Sequence, residues 1–117
     1  MGHSEFYHSK AWRKKRAKIL RRDKHLCRES LRYGKRVDAT TVHHIFPLEQ
    51  YPELALEDWN LVSLSTERHD AMHDRKTGAV TELGRQWQRR VSPHPLALGN
   101  QGKGDRAMEL FPIERDF

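Results

Sequence analysis

Residues 42–76 read VHHIFPLEQYPELALEDWNLVSLSTERHDAMHDRK, and they hold four of the chain's eight histidines. These come as an adjacent pair, His43 and His44, and a spaced pair, His69 and His73. Between them stands Asn60, just before the apolar run Leu61-Val62-Ser63-Leu64. Four residues apart on a helix, His69 and His73 would share one face, where two neutral imidazoles can grip a first-row metal ion. His43 and His44 follow Thr40-Thr41-Val42, a β-branched run that reads as strand, so their rings point to opposite sides unless the strand is bulged. The two cannot then share one task. One can complete a metal site while the other turns toward substrate as a base, a role that suits imidazole because it titrates near neutrality.

The expectation is a one-metal phosphodiesterase site on a hairpin-plus-helix scaffold. The order His-His, Asn, His-x-x-x-His resembles the HNH (ββα-metal) endonucleases, and the last pair is similar to the helix of colicin-type nuclease domains. The flanks also resemble phage and bacterial HNH proteins: FYHSKAWRKKR before the stretch, then CRESLRYGK, and NLVSL leading into the helix. The resemblance spans roughly residues 6–78. It implies an α+β fold, a small ββα-metal, treble-clef-like core of a two-stranded hairpin and a metal helix, flanked by a basic N-terminal helix and an extra C-terminal one. It also implies the roles. His44 matches the general base, and His43, His69 and His73 match the ligands of one divalent cation (Zn, Ni, Mg or Mn). Asn60 matches the middle residue that braces the loop and orients the base. The implied reaction is hydrolysis of DNA phosphodiester bonds, with DNA as partner and phage packaging proteins, the terminase motor, as a further expected one.

One departure stands out. Many phage-type relatives carry four cysteines around a separate structural zinc, and at those positions this chain has Cys27, Ser30, Ser65 and Arg68. One ligand of four cannot form a tetrahedral site, so packing alone must hold the fold.

Composition narrows the partners. The net charge of +6 is unevenly spread: residues 10–36 carry a net +11 and the rest a net −5. Such asymmetry points to a polyanion on one face, with binding that weakens steeply in salt. Arg13, Lys14, Arg16 and Lys76 are the candidates for phosphate contacts, chosen from helix faces. A single cysteine excludes an internal disulfide and fits a reducing compartment. No apolar run is long enough to span a bilayer and no signal-peptide pattern opens the chain, so a cytoplasmic place in a bacterial host is expected.

Along the chain, residues 1–8 are expected to be loose, with Phe6 and Tyr7 docking on the core. Residues 9–91 form the HNH domain. Ser9 caps a helix to about Arg22 with Trp12, Ile19 and Leu20 as its apolar stripe. Lys35 to Phe46 reads as the first strand and Asn60 to Leu64 as the second. Ser65 or Thr66 starts a metal helix running to about Thr77, where Gly78 stops it. Thr81 to Val91 reads as a further helix with Gly84 as a weak point. Pro- and Gly-rich residues 92–117 read as an extended tail, whose LFPI segment could clip back or bind a partner. Two other functions compete with nuclease activity. One is an inactive HNH-fold module that only binds DNA. The other is a zinc peptidase, since HDAMH resembles HExxH, but its Asp70 is one methylene too short to serve as the water's base.

Overall fold

A computed structural model of the chain describes residues 2–91, with side chains from residue 5 onward; the expected tail 92–117 lies outside the described residues. The fold is α+β. Helices α1 (Gly2–Tyr7), α2 (Lys10–Arg22) and α3 (Arg28–Leu31) precede strand β1 (Thr41–His44). A loop with two short 3₁₀ turns, Pro52–Leu54 and Asp58–Asn60, leads to β2 (Leu61–Leu64), then α4 (Thr66–Asp70) and α5 (Glu82–Val91). The strands form one antiparallel hairpin in which Thr41 faces Leu64 and His44 faces Leu61.

Strand alternation gives the hairpin two buried faces. Val42 and Leu61 pack on one side against Trp12, Ile19 and Leu20 of α2. Ile45, Val62 and Leu64 pack on the other with Cys27, Met72, and Trp87 and Val91 of α5. The ribbon is thus filled from both sides, which gives a chain of modest apolar content two core clusters, one on each face of the hairpin. Because 43 and 44 are neighbours on β1, the same alternation sends their rings to different layers.

Buried charge fixes the corners. The carboxylate of Asp23, at the end of α2, is fully buried and accepts from Arg22 (2.8 and 3.0 Å), Arg28 (2.9 Å) and the Ser63 backbone N–H (3.0 Å). It ties α2 to β2 and satisfies its own lone pairs, the condition under which a buried carboxylate is tolerated. Buried Glu29 accepts from Trp87 Nε1 at 2.8 Å and from Arg32 at 3.0 Å, which pins α5 to α3.

Several expectations need correction. Instead of a loose N terminus there is a short helix, because Phe6 and Tyr7 find aromatic partners in Trp12 and His44. The first strand is shorter than Lys35–Phe46. Only Thr41–His44 pairs with β2, and Asp38 makes an isolated bridge to Leu26. The metal helix stops at Asp70 rather than Thr77. Beyond it, Asp74 Oδ1 accepts from the N–H groups of Lys76 and Thr77, Gly78 takes φ +79°, and His73 pairs with Val80. That local turn competes successfully with helix propagation. Gly84 is not a weak point but a close approach: a Cβ there would lie 2.6 Å from Val80 Cγ1 and 2.8 Å from the Met72 carbonyl oxygen.

Candidate metal and catalytic site

His43, on β1, is 3% exposed and faces α4. Its ring centroid lies 5.2 Å from that of His69 and 5.6 Å from that of His73. His69 comes from the last turn of α4, whose start is capped by Ser65 Oγ accepting from the Arg68 N–H at 3.2 Å. His73 comes from the bridged segment after the helix, so the two are gathered by a turn and not by one helical face. Two imidazoles on one ion, each bound at ~2.0–2.1 Å in a tetrahedral arrangement, have centroids roughly 5 Å apart. The observed spacings have that size. Orientation is a separate matter: among the described residues no three His, Cys, Asp or Glu side chains are already aimed so as to hold an ion.

Burial pushes the His43 pKa well below the ordinary imidazole value, with the charges of His69, His73 and His44 acting the same way. His69 is also lowered by burial, which outweighs the opposing pull of Asp70. Both rings are therefore held in the neutral form that a metal ligand requires.

His44 points to the other layer. It stacks on Trp12 (centroids 5.1 Å, interplanar angle 24°) and is flanked by Phe6 and Tyr7. Its Nε2 lies 3.0 Å from the carbonyl oxygen of Ala55. A carbonyl can only accept, so Nε2 carries the proton and Nδ1 keeps the lone pair. Burial lowers the His44 pKa, the Ala55 hydrogen bond opposes it, and the His69 charge adds to the lowering. The result is a neutral ring of fixed tautomer with one basic nitrogen.

Asn60 is fully buried and stitches the loop that carries Ala55. Its Oδ1 accepts from Phe46 N–H at 2.7 Å, and its Nδ2 donates to the carbonyls of Phe46 and Leu54, each at 3.2 Å. Leu54 is the residue next to Ala55, so the amide sits one peptide from the oxygen that orients His44. His43, His44, His69 and His73 line one cavity of 210 Å³ together with Tyr7, Val42, Pro47, Leu48 and Glu49. Of the phosphate-contact candidates, Arg13, Lys14 and Lys76 are exposed, whereas Arg16 already donates to the Thr40 carbonyl at 3.1 Å. Asp70 is 3.8 Å from His69 Nδ1 and largely exposed, and Asp74 serves its own turn. Trp12 and the Ala55 carbonyl did not emerge from motif spacing. The only sequence signal for the aromatic wall was the Phe6-Tyr7 pair ahead of Trp12.

No family model matches the chain and no curated protein matches it. Among solved structures, the HNH endonuclease of the deep-sea thermophilic bacteriophage GVE2, crystallised with manganese ion, is similar: 36% identical, TM-score 0.56, covering 57% of this chain and 73% of its own. With a shared hairpin fold, that degree of identity and most of the relative's length spanned, the chain belongs to the HNH endonuclease family.

Proposed function

We propose that the protein hydrolyses DNA phosphodiester bonds with His44 as general base and one divalent cation held by His43, His69 and His73. The observation that carries this reading is the division of labour across β1. One face offers His43 with the rings of His69 and His73 each beside it, His43 and His69 held neutral by burial, and the other offers a fourth imidazole whose tautomer is set by a backbone carbonyl. The ion, when bound, supplies Lewis-acid stabilisation of the leaving oxygen. His44 Nδ1 takes the proton of the attacking water, while Nε2–H stays on Ala55 O so that the positive charge formed on the ring is partly compensated. Asn60 keeps Ala55 in place and so acts as a positioning residue. Trp12 and Tyr7 wall the base off from bulk water on the α2 side. Ring rotation at positions 43, 69 and 73 is the adjustment that ion binding calls for, since the spacing is already suitable.

Exposed Arg13, Lys14 and Lys76, with Arg16 in part, supply contacts to backbone phosphates, which position a duplex without reading bases. A domain of this size has little surface for base readout, so we expect weak specificity or nicking unless a partner such as a phage packaging protein directs it. Zinc, nickel, magnesium and manganese all remain compatible with imidazole ligands, and the manganese-bound relative makes manganese the first to test. The peptidase reading loses ground because His69 and His73 do not share a helix, which the HExxH arrangement requires.

The test is plasmid nicking with a panel of divalent ions, wild type against His44→Ala. Wild type should cut only with metal, and the variant should lose ~10²–10⁴-fold in rate, the usual contribution of a general base, while binding DNA normally. Equal cutting by EDTA-treated protein would end the metal mechanism; unchanged cutting by the variant would remove His44 as the base, and DNA binding by wild type with no cutting under any ion would leave only the binding-module reading.

A further inference from the structure

A second cavity, of 350 Å³, opens at the far end of α2 from the histidines. It is lined by Arg22, Asp23, Lys24, Leu26, Arg28, Leu31 and Arg36, four cations against one carboxylate. That carboxylate is spent. Asp23 is fully buried and saturated by Arg22, Arg28 and the Ser63 N–H. It holds the two guanidiniums at the cleft wall, and Arg28 is itself only 5% exposed. Lys24 and Arg36 are exposed at the mouth, and neither makes an ion pair with a described residue. The chain turns sharply there, with Lys24 and His25 both at positive φ (57° and 58°), which sets Lys24 beside the mouth instead of continuing α2.

We propose that this cleft is a second phosphate site, seating a backbone phosphate of the same nucleic acid at a distance from the bond being cut. The inference rests on the nuclease reading for its ligand but uses none of its residues. Trp12 marks the catalytic end of α2 and Arg22 the cleft end. Ten residues at a rise of 1.5 Å make the separation roughly 15 Å. Phosphates of one strand advance ~3.4 Å per nucleotide along a duplex axis, so the anchored phosphate lies about four to five nucleotides from the scissile one. The buried Asp23–arginine wall gives the site rigidity, and the two mouth cations supply the charge that displaces counterions.

The experiment compares wild type with Lys24→Gln/Arg36→Gln and with a control, Arg21→Gln/Lys35→Gln. The control removes the same charge from exposed residues of the same basic stretch that do not line the cleft. DNA affinity is measured against salt, and nicking as kcat and KM. The cleft variant should flatten the slope of log K against log salt by about one for each phosphate-contacting charge lost, and raise KM while kcat holds. The difference from wild type should vanish on oligonucleotides of roughly three nucleotides, too short to span the ~15 Å between the two ends of α2. Equal flattening by the control would reduce the effect to net charge and overturn the site, as would an unchanged slope in the cleft variant. If wild type cuts DNA yet the cleft variant behaves identically, the second site alone is wrong. If wild type neither binds nor cuts DNA, both readings fall.

Discussion

The hydroxyl of Tyr7 lies 3.5 Å from Nδ1 of His44, the ring nitrogen left with a lone pair once Nε2 donates to Ala55. A water that is to lose its proton to His44 must occupy the space that this hydroxyl now faces. Tyr7→Phe keeps the ring against Trp12 and His44 but removes the competing donor. A long hydrogen bond of this kind is worth at most ~0.5–1.5 kcal/mol, so kcat should rise a few-fold with KM unchanged. Tyr7→Ala, which also strips the aromatic wall, should lower kcat. A fall in kcat for the phenylalanine variant would show that the hydroxyl assists the water instead of competing with it.

Asn60 makes three hydrogen bonds from a fully buried position, and alanine would orphan the Phe46 N–H and two carbonyls. Each buried polar group left unpaired costs ~1–3 kcal/mol. Asn60→Ala should therefore lower Tm by on the order of 10 °C, given ~4–8 °C per kcal/mol for a domain of this size. Asn60→Asp separates stability from positioning less cleanly, since its carboxylate would accept from Phe46 N–H yet face the Leu54 carbonyl. In the alanine variant the pH dependence of kcat should shift as well, because the Ala55 carbonyl that fixes the His44 tautomer loses its brace. Loss of stability with an unaltered pH profile would make Asn60 structural only.

Residue spacing made the two-layer arrangement readable. Alternation on β1 separated His43 from His44 before any fold was known, and the apolar stripe Trp12, Ile19, Leu20 is the one that α2 buries. What could not be read were events in which local side-chain chemistry overrides periodicity. Asp74 closes a turn where His69 and His73 suggested a continuous helix, and the Gly84 penalty in a helix hides a steric need visible only once Met72 and Val80 are placed. Likewise, which carbonyl would fix His44 depended on the 3₁₀ turn around Leu54, and spacing carries no record of it.

Gly84→Ala tests that steric reading against helix propensity. Propensity alone predicts a gain of about 1 kcal/mol from replacing a helical glycine. The new Cβ would fall 2.6 Å from Val80 Cγ1 and 2.8 Å from the Met72 carbonyl oxygen, and a backbone atom cannot swing aside. Overpacking of this kind costs ~1–3 kcal/mol, so the variant should unfold at lower urea than wild type. A higher midpoint would mean that α5 shifts freely against the segment holding His73.

Asp58 links α2 to the turn before β2, pairing with Lys15 and, at 2.9 Å, with Lys18. Partial burial would raise its pKa, but hydrogen bonds and charge from the two lysines outweigh that and lower it. A carboxyl depressed in the folded state contributes stability above its unfolded value near ~3.9, and that contribution disappears as pH falls through the folded value. The side chain is 41% exposed, so screening keeps the contribution below ~1 kcal/mol. Asp58→Asn should thus be slightly less stable than wild type at pH 6, with the gap beginning to close as pH falls below about 4. A gap that does not narrow as pH falls further would place the effect in packing instead of charge.

Cys27 is fully buried with Ser30 Oγ 3.3 Å from its sulfur, and Ser65 also hydrogen-bonds to it. Ser65 in turn caps the Arg68 N–H. Of the four positions that the resemblance matches to zinc-binding cysteines, 27, 30 and 65 are therefore joined by hydroxyl hydrogen bonds to the sulfur, and 68 is joined through its backbone N–H. Burial raises the Cys27 pKa, while the hydrogen bonds from Ser30 and Ser65 lower it further, leaving the thiol below its ordinary value. Ser30→Cys/Ser65→Cys/Arg68→Cys should accordingly create a four-thiolate site that selects zinc. Without metal the variant should be less stable than wild type, having lost the Ser65 cap, worth ~0.5–2 kcal/mol. With zinc a thousandfold above Kd, it should gain ~4 kcal/mol by mass action, and EDTA should reverse the gain. Cobalt substitution would give a tetrahedral thiolate spectrum as an independent reading. A Tm indifferent to zinc would show that position 68 faces away from the sulfur and that the knuckle has moved beyond repair.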